Sequence, residues 1–243
     1  MADTKPLLAF YGATGGSCLA CLAPALKAGY TCTALARTPS KLETALREKG
    51  VSDSAISSYL HITNGDVYDL SAVKGPLSHD GRTASTVFSG LGAYQMTGEI
   101  KICQDGVGKI FEALRELKTA EKPVFVALSS TGLTRGGEKR DLPYAMYPMY
   151  HGLLKKPHVD KIKMEDLVME EAGKGESVIG GYVLTRASLL TNGKGGGKVR
   201  AGPENEPAIG YTISRNDVGE WMYKNLVKGD KGKWVGRKVS LTY

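Results

Sequence analysis

The sequence predicts an α/β fold: a doubly wound parallel sheet with helices on both faces and a small C-terminal lobe. Three observations predict it. Short, nearly continuous apolar runs alternate with segments of helical period. Such runs suit strands buried on both faces, and their alternation with helices suits parallel strands joined by crossovers. The third is glycine, 31 of 243 residues, or about 13% against a usual ~7%, much of it at the ends of the apolar runs.

Each element follows in order. The run at 6–13 is the first strand. Residues 16–30 form a helix stopped by Gly29, with Pro24 as a blemish. Residues 31–37 are a strand, and 38–50 a helix with Thr38 or Ser40 as cap and Gly50 as stop. Strands follow at 58–66 and 85–92. The 97–118 helix carries Ile100, Ile110, Phe111, Leu114 and Leu117 on its apolar face. The next strand is 122–131. After a long Gly-, Pro- and Tyr-containing segment (131–157), residues 158–173 read as a helix and 177–187 as a strand. Residues 192–208 read as a mobile glycine-rich loop. A short helix at 214–227 is capped by Ser214, and 233–243 is a last strand. The chain is expected to form one domain, with 1–130 as a cofactor-binding core and 131–243 as a substrate-binding lid and lobe.

Composition narrows the function. With 42% hydrophobic and 23% charged residues, disorder is excluded as a default. The net charge of +7 is uneven: residues 1–120 hold 12 Lys+Arg against 11 Asp+Glu, and 121–243 hold 20 against 14. No basic–aromatic stacking motif accompanies the excess, so an anionic small molecule is favoured over nucleic acid. Cys18 and Cys21 form a C-x-x-C with no second ligand pair, which favours small packing residues over zinc or redox chemistry. His61, His79, His151 and His158 are scattered, so no metal is expected. No G-x-S-x-G elbow suggests a hydrolase. The N-terminal apolar run is too short to span a bilayer and lacks a cleavage signal. A cytoplasmic monomer or homodimer is expected.

Gly12-Ala13-Thr14-Gly15-Gly16-Ser17 follows the first strand and opens the first helix. In that context the glycines permit a tight turn and a close backbone approach to a pyrophosphate, and the helix N-terminus adds partial positive charge. The third glycine of the usual pattern falls at Cys18. Where NAD binders place an acid after the second strand, this chain has Arg37, with Lys41 nearby, which suits the 2′-phosphate of NADP(H). Asp66 and Val67 are expected beside the adenine. Gly90, Leu91 and Gly92 let the cofactor pass close to backbone.

With these residues in place, the chain resembles the atypical short-chain dehydrogenases of the NmrA-like, NAD(P)H-binding type, most closely the fungal members. The resemblance rests on "YGATGG", "ARTPSKL", "NGDVYD", "VFVALSSTGL", "HVDKIKMEDLV", "VLTRASLLTNG", "ISRNDVGEWM" and "KVSLTY", in that order. It implies a Rossmann fold, an NADP(H) cofactor and reduction of small organic molecules. It also implies cofactor contacts from Ser129, from Lys161, and from Arg186, Ala187 and Ser188, where the family often has Arg-Pro.

The Y-x-x-x-K proton relay of typical short-chain dehydrogenases is missing. Tyr147 is followed four residues later by His151, Tyr182 by Arg186 and Tyr211 by Arg215, and Pro157 stands at the tyrosine position before Lys161. Candidate replacements are Ser130, Tyr150, His158 and Lys161. Tyr144, Tyr147 and Tyr150 are spaced to share a helical face, which either lines a pocket for an aromatic substrate or packs. The leading reading is an NADPH-dependent reductase of a small carbonyl or enone, in secondary metabolism. The missing relay keeps open a non-redox isomerase or rearrangement catalyst, and an NADP(H)-sensing module is a third reading. Arg37→Asp is expected to shift preference from NADP toward NAD, read as the ratio of the two dissociation constants. An unchanged ratio would mean that the second strand is misplaced.

Overall fold

The computed structural model describes residues 5–93 and 98–243. Thr97, where the sequence starts the third helix, lies outside them. In chain order the elements are β1 (Leu8–Tyr11), α1 (Gly16–Lys27), β2 (Cys32–Ala36), α2 (Pro39–Glu48), α3 (Asp53–Tyr59) and β3 (Leu60–Asn64). Then come α4 (Leu70–Lys74), the hairpin β4 (Ser78–His79) and β5 (Arg82–Thr83), β6 (Thr86–Ser89), α5 (Ile102–Leu117), β7 (Val124–Ser130), α6 (Tyr147–His151) and α7 (Lys155–Ala172). The last are β8 (Gly181–Ala187), β9 (Leu189–Thr191), β10 (Arg200–Pro203), β11 (Thr212–Ser214), α8 (Arg215–Met222) and β12 (Arg237–Thr242).

Eight strands make one sheet in the order β10-β12-β8-β7-β6-β1-β2-β3. Every ladder in it is parallel except β10 on β12. The chain runs outward from β1 to β3, returns, and runs outward again from β6. The direction reverses between β1 and β6, the place where doubly wound sheets bind ligands at the strands' carboxyl ends. The expected fold is therefore present. The C-terminal residues contribute β8, β12 and β10 to the same sheet, and the small β9/β11 ladder stands apart, as does the β4/β5 hairpin.

Alternate residues of each buried strand supply two cores. Leu8 and Phe10 of β1 join one under α1 and α8, while Leu7, Ala9 and Tyr11 join the other with α5 and α7. This is why the runs are continuously apolar. Cys18 and Cys21 sit in the first core as packing residues. Gly29 and Gly50 stop their helices in the left-handed region, at φ +73° and +71°.

Three features differ from the sequence reading. Thr38 occupies the cap position of α2 without a capping side-chain bond, and Pro39 supplies the first turn instead. The short α3, α4 and α6, which carry too few turns for a periodic signal, are additional. The glycine-rich 192–208 segment contains β10 and is tethered: Asp217 accepts from Gly196 N at 2.7 Å and Gly197 N at 3.3 Å. That carboxylate, supplied from α8, ties the glycines of the loop to the fold.

α8 lies close against α1. A Cβ at Gly219 would overlap the Ser17 carbonyl oxygen and the Ala20 methyl. Gly219→Ala is expected to destabilise the fold by about 2–3 kcal/mol, as overpacking does, read from the denaturant midpoint.

Candidate active site at the carboxyl edge of the sheet

The glycine loop is built at the switch point. Gly12 adopts φ +72°, and a methyl there would stand 2.8 Å from the Gly90 carbonyl carbon. Gly15 N donates to Gly12 O at 2.9 Å to close the turn. Gly90 in turn faces Cys18, whose Sγ would overlap a Cβ at 90. The bulk at position 18 is thus accommodated by a glycine on the neighbouring strand's loop. Burial pushes the Cys18 thiol up to about 12, so it stays neutral.

This cradle fits a dinucleotide. α1 has no capping side chain, so its first N–H groups lack intrahelical or side-chain acceptors and are available to an anion. Ser17 Oγ and Ser89 Oγ are buried there without partners. Ala13 is buried, and Thr14 is exposed at the tip of the loop. Arg37 and Lys41 are exposed just past β2. Asp66 turns its carboxylate onto Tyr68 N at 3.1 Å, and Val67 is buried. Leu91 and Val67 pack against α5 where Gly106 leaves room; Gly92 is open to solvent.

The sheet edge steps upward at β7. The last residue of β6, Ser89, pairs with Ala127, so Ser130 projects beyond β6. Its Oγ lies 3.3 Å from His158 Nε2. Asp160 fixes the start of α7 by accepting from Cys103 N and Gln104 N, each at 2.9 Å, which caps α5 from another element. Lys161 Nζ donates to Leu128 O at 2.8 Å. Burial, aided by the Lys161 charge, lowers His158 to about 4, so the ring is neutral near pH 7. Three of the four sequence-nominated catalytic residues thus converge by contact or neighbourhood on the end of β7.

Tyr150 takes a different place. It is 1% exposed, and a methyl at Gly132 would stand 2.6 Å from its ring. Its ring lies 5.1 Å from that of His158. Burial raises its hydroxyl pKa, opposed by the Thr131 and Ser130 hydroxyls. Tyr144, at 75% exposure, stacks on Tyr147 with ring centres 5.9 Å apart. The three tyrosines therefore do not share a face: the break between a 3-10 turn at 144–146 and α6 turns Tyr150 inward.

Ser129 and Arg186 belong to an internal ionic cluster. Glu165, fully buried, accepts from Ser129 Oγ at 2.6 Å and from Arg186 Nε and Nη2 at 2.9 and 2.7 Å. Arg186 Nη1 donates to Glu138 at 2.7 Å. Burial opposes the guanidinium charge, but Glu165 and Glu138 raise its pKa above the ordinary value. Ala187 is buried, and Ser188 Oγ bonds Thr242 Oγ1 at 3.0 Å. The sequence reading placed these side chains at the cofactor. Here their polar groups are engaged within the protein, and Glu165, the acid that organises them, was not nominated. The signal for it was its place one helical turn after Lys161.

A family model described as NAD(P)H-binding matches residues 12–228. The chain belongs to that family. This NAD(P)H-binding chain is 47% identical to Reductase pytE of Aspergillus terreus, covering 100% of each. It is 35% identical to Oxidase pynE of Aspergillus niger, covering 98% of this chain and 99% of that one. Among solved structures, a short-chain dehydrogenase/reductase of Veillonella parvula in complex with NADP gives a TM-score of 0.69. It covers 98% of this chain and 94% of that one at 16% identity, a likeness of fold. No helix of the described residues is long and apolar enough to cross a membrane.

The neutral His158 has a consequence for stability. Its folded pKa lies below the unfolded value of 6.5, so acidification charges the unfolded chain first. Stability from this residue is full above pH 6.5 and falls as the pH drops toward 4, by about 3 kcal/mol. Urea unfolding of the wild type and His158→Gln across that range reads it: the variant should lose this part of the slope.

Proposed function

We propose that the chain is an NADP(H)-dependent oxidoreductase that moves a hydride to or from the carbonyl carbon of a small carbonyl or enone compound. The observation that carries it is the Ser130–His158 pair, 3.3 Å apart, at the strand end two strands from the glycine cradle. At about 4.8 Å per strand, that offset of roughly 10 Å suits a cofactor laid from the cradle toward β7. Arg37 and Lys41, exposed past β2 where an acid would favour NAD, support the phosphorylated cofactor. The cradle that would hold the pyrophosphate comprises Gly12 to Ser17 with Gly90.

The nicotinamide, when bound, supplies or accepts the hydride. The chain's own residues manage the proton. Ser130 Oγ–H is placed to hydrogen-bond a substrate oxygen and to polarise it. In the oxidising direction an alcohol proton passes to Ser130 Oγ while Ser130 gives its own to His158 Nε2. In the reducing direction the alkoxide oxygen takes the Ser130 proton, and Ser130 regains one from solvent through His158 Nε2. Lys161 places a positive charge beside this path and favours the anionic oxygen. Tyr150 holds the His158 ring from behind as a positioning residue. The relative at 47% identity is named a reductase, which accords with hydride transfer to substrate.

Ser130→Ala is expected to lower kcat by about 10²–10³ with the NADPH dissociation constant unchanged, measured as NADPH oxidation against a carbonyl panel. Unchanged kcat would remove Ser130 from the mechanism. Product formed with no net loss of NADPH would replace the redox reading with isomerisation.

A further inference from the structure

We propose that Arg215 is a phosphate ligand of the bound dinucleotide, closing the α1 end of the glycine loop over the pyrophosphate. The inference rests on the cofactor reading above and adds to it a residue from the far end of the chain.

The side chain of Arg215 fills the place that Gly16 leaves empty. A methyl on Gly16 would lie 2.8 Å from Arg215 Cδ and 3.2 Å from its Cβ. Gly16 has no left-handed backbone to explain it, so close contact with Arg215 is what the missing side chain permits. Arg215 is half-buried, and its guanidinium is held by neutral acceptors: Nη1 donates to Asn192 Oδ1 at 2.7 Å and to Leu190 O at 3.4 Å.

The charge around it is unbalanced. Among the described residues no carboxylate forms an ion pair with Arg215. Asp217, two residues on, is turned to Gly196 N, Gly197 N, Ser214 Oγ and the Tyr243 hydroxyl. Arg215 is the first residue of α8, where a cation opposes the helix dipole. The adjoining N-terminus of α1 adds potential of the same sign, and Lys49 Nζ is drawn to the neighbouring Asn216 Oδ1 at 2.5 Å. A cation fixed between like potentials, beside a cradle shaped for backbone–phosphate contact, calls for an anion from outside the protein. The pyrophosphate is the anion that this loop takes.

The position separates Arg215 from Arg37. Arg37 follows β2 and serves the 2′-phosphate, which only NADP(H) has. Arg215 meets a group common to both dinucleotides. Calorimetric titration of the full chain with NADPH, NADH and adenosine 2′-phosphate reads the difference, using wild type, Arg215→Met and Arg215→Lys. Methionine keeps the aliphatic packing on Gly16 and removes the charge. Arg215→Met is expected to weaken NADPH and NADH by the same factor, about 10- to 100-fold as for a charge-assisted hydrogen bond. Adenosine 2′-phosphate should bind as before, which also reports an intact fold, and lysine should recover part of the loss. Unchanged affinities in Arg215→Met, or a loss confined to NADPH, would overturn the proposal while leaving the cofactor reading in place. A wild-type chain that bound neither dinucleotide would instead remove the cofactor reading, and this inference with it.

Discussion

The pairing of Glu165 with Arg186 is the interaction on which the packing of α7 against β7 and β8 depends. Two parallel hydrogen bonds join them in a site closed to water. Ser129 ties the same carboxylate to β7, and Arg135 approaches it at 3.5 Å while also donating to Ile162 O on α7. Arg186 extends the cluster to Glu138, which Lys238 of β12 also holds. One buried acid and one buried base thus join two central strands, an edge-side strand, a helix and the segment after β7. Removing either partner alone would strand a buried charge, typically a loss of about 3–5 kcal/mol. Replacing both with apolar groups of the same shape would cost far less. Stability by itself therefore does not require the pair; what it fixes is the depth and rotation of α7 against β7.

That placement decides the chemistry offered at the sheet edge. His158 and Lys161 ride on the first turns of α7, below Glu165, and Ser130 is the last residue of β7. Asp160 anchors the same turns to the start of α5. The site is consequently held from both sides by carboxylates that take no part in it. Charged groups are used internally, and the groups gathered at the end of β7 are a hydroxyl, a neutral imidazole and one ammonium. In the proposed reaction such a set would handle the proton, while the hydride is left to a cofactor.

Much of this was readable in the sequence, because its causes are local. Continuous apolar runs followed by helical periods gave the parallel sheet, and the glycine loop was placed by the strand before it and the helix after it. Ser130 and His158 were legible as a strand end and a helix start that the topology brings to one edge. What escaped is contact between residues far apart in sequence. The exchange of bulk between Cys18 and Gly90 joins α1 to the loop after β6. Asp160 caps a helix that starts 58 residues before it. The clasp of Asp217 on Gly196 and Gly197 turns a composition that reads as slack into an ordered connection. The shared face of Tyr144, Tyr147 and Tyr150 failed for another reason: the spacing is regular, but the backbone between 144 and 150 is not one helix.

The tethered segment also alters the rim of the sheet. β10 runs against its neighbour in the only antiparallel ladder of the large sheet, and it is four residues long, opening with Arg200 and ending with Pro203. Exposed sheet margins invite other chains to add strands, and shortness, charge and proline discourage that pairing. β12 by contrast is a longer run whose last four residues are buried, and with its margin bare it would be a template for such addition. β10 covers it with a strand that is a poor one, so the rim of the sheet on that side is short, charged and closed by proline.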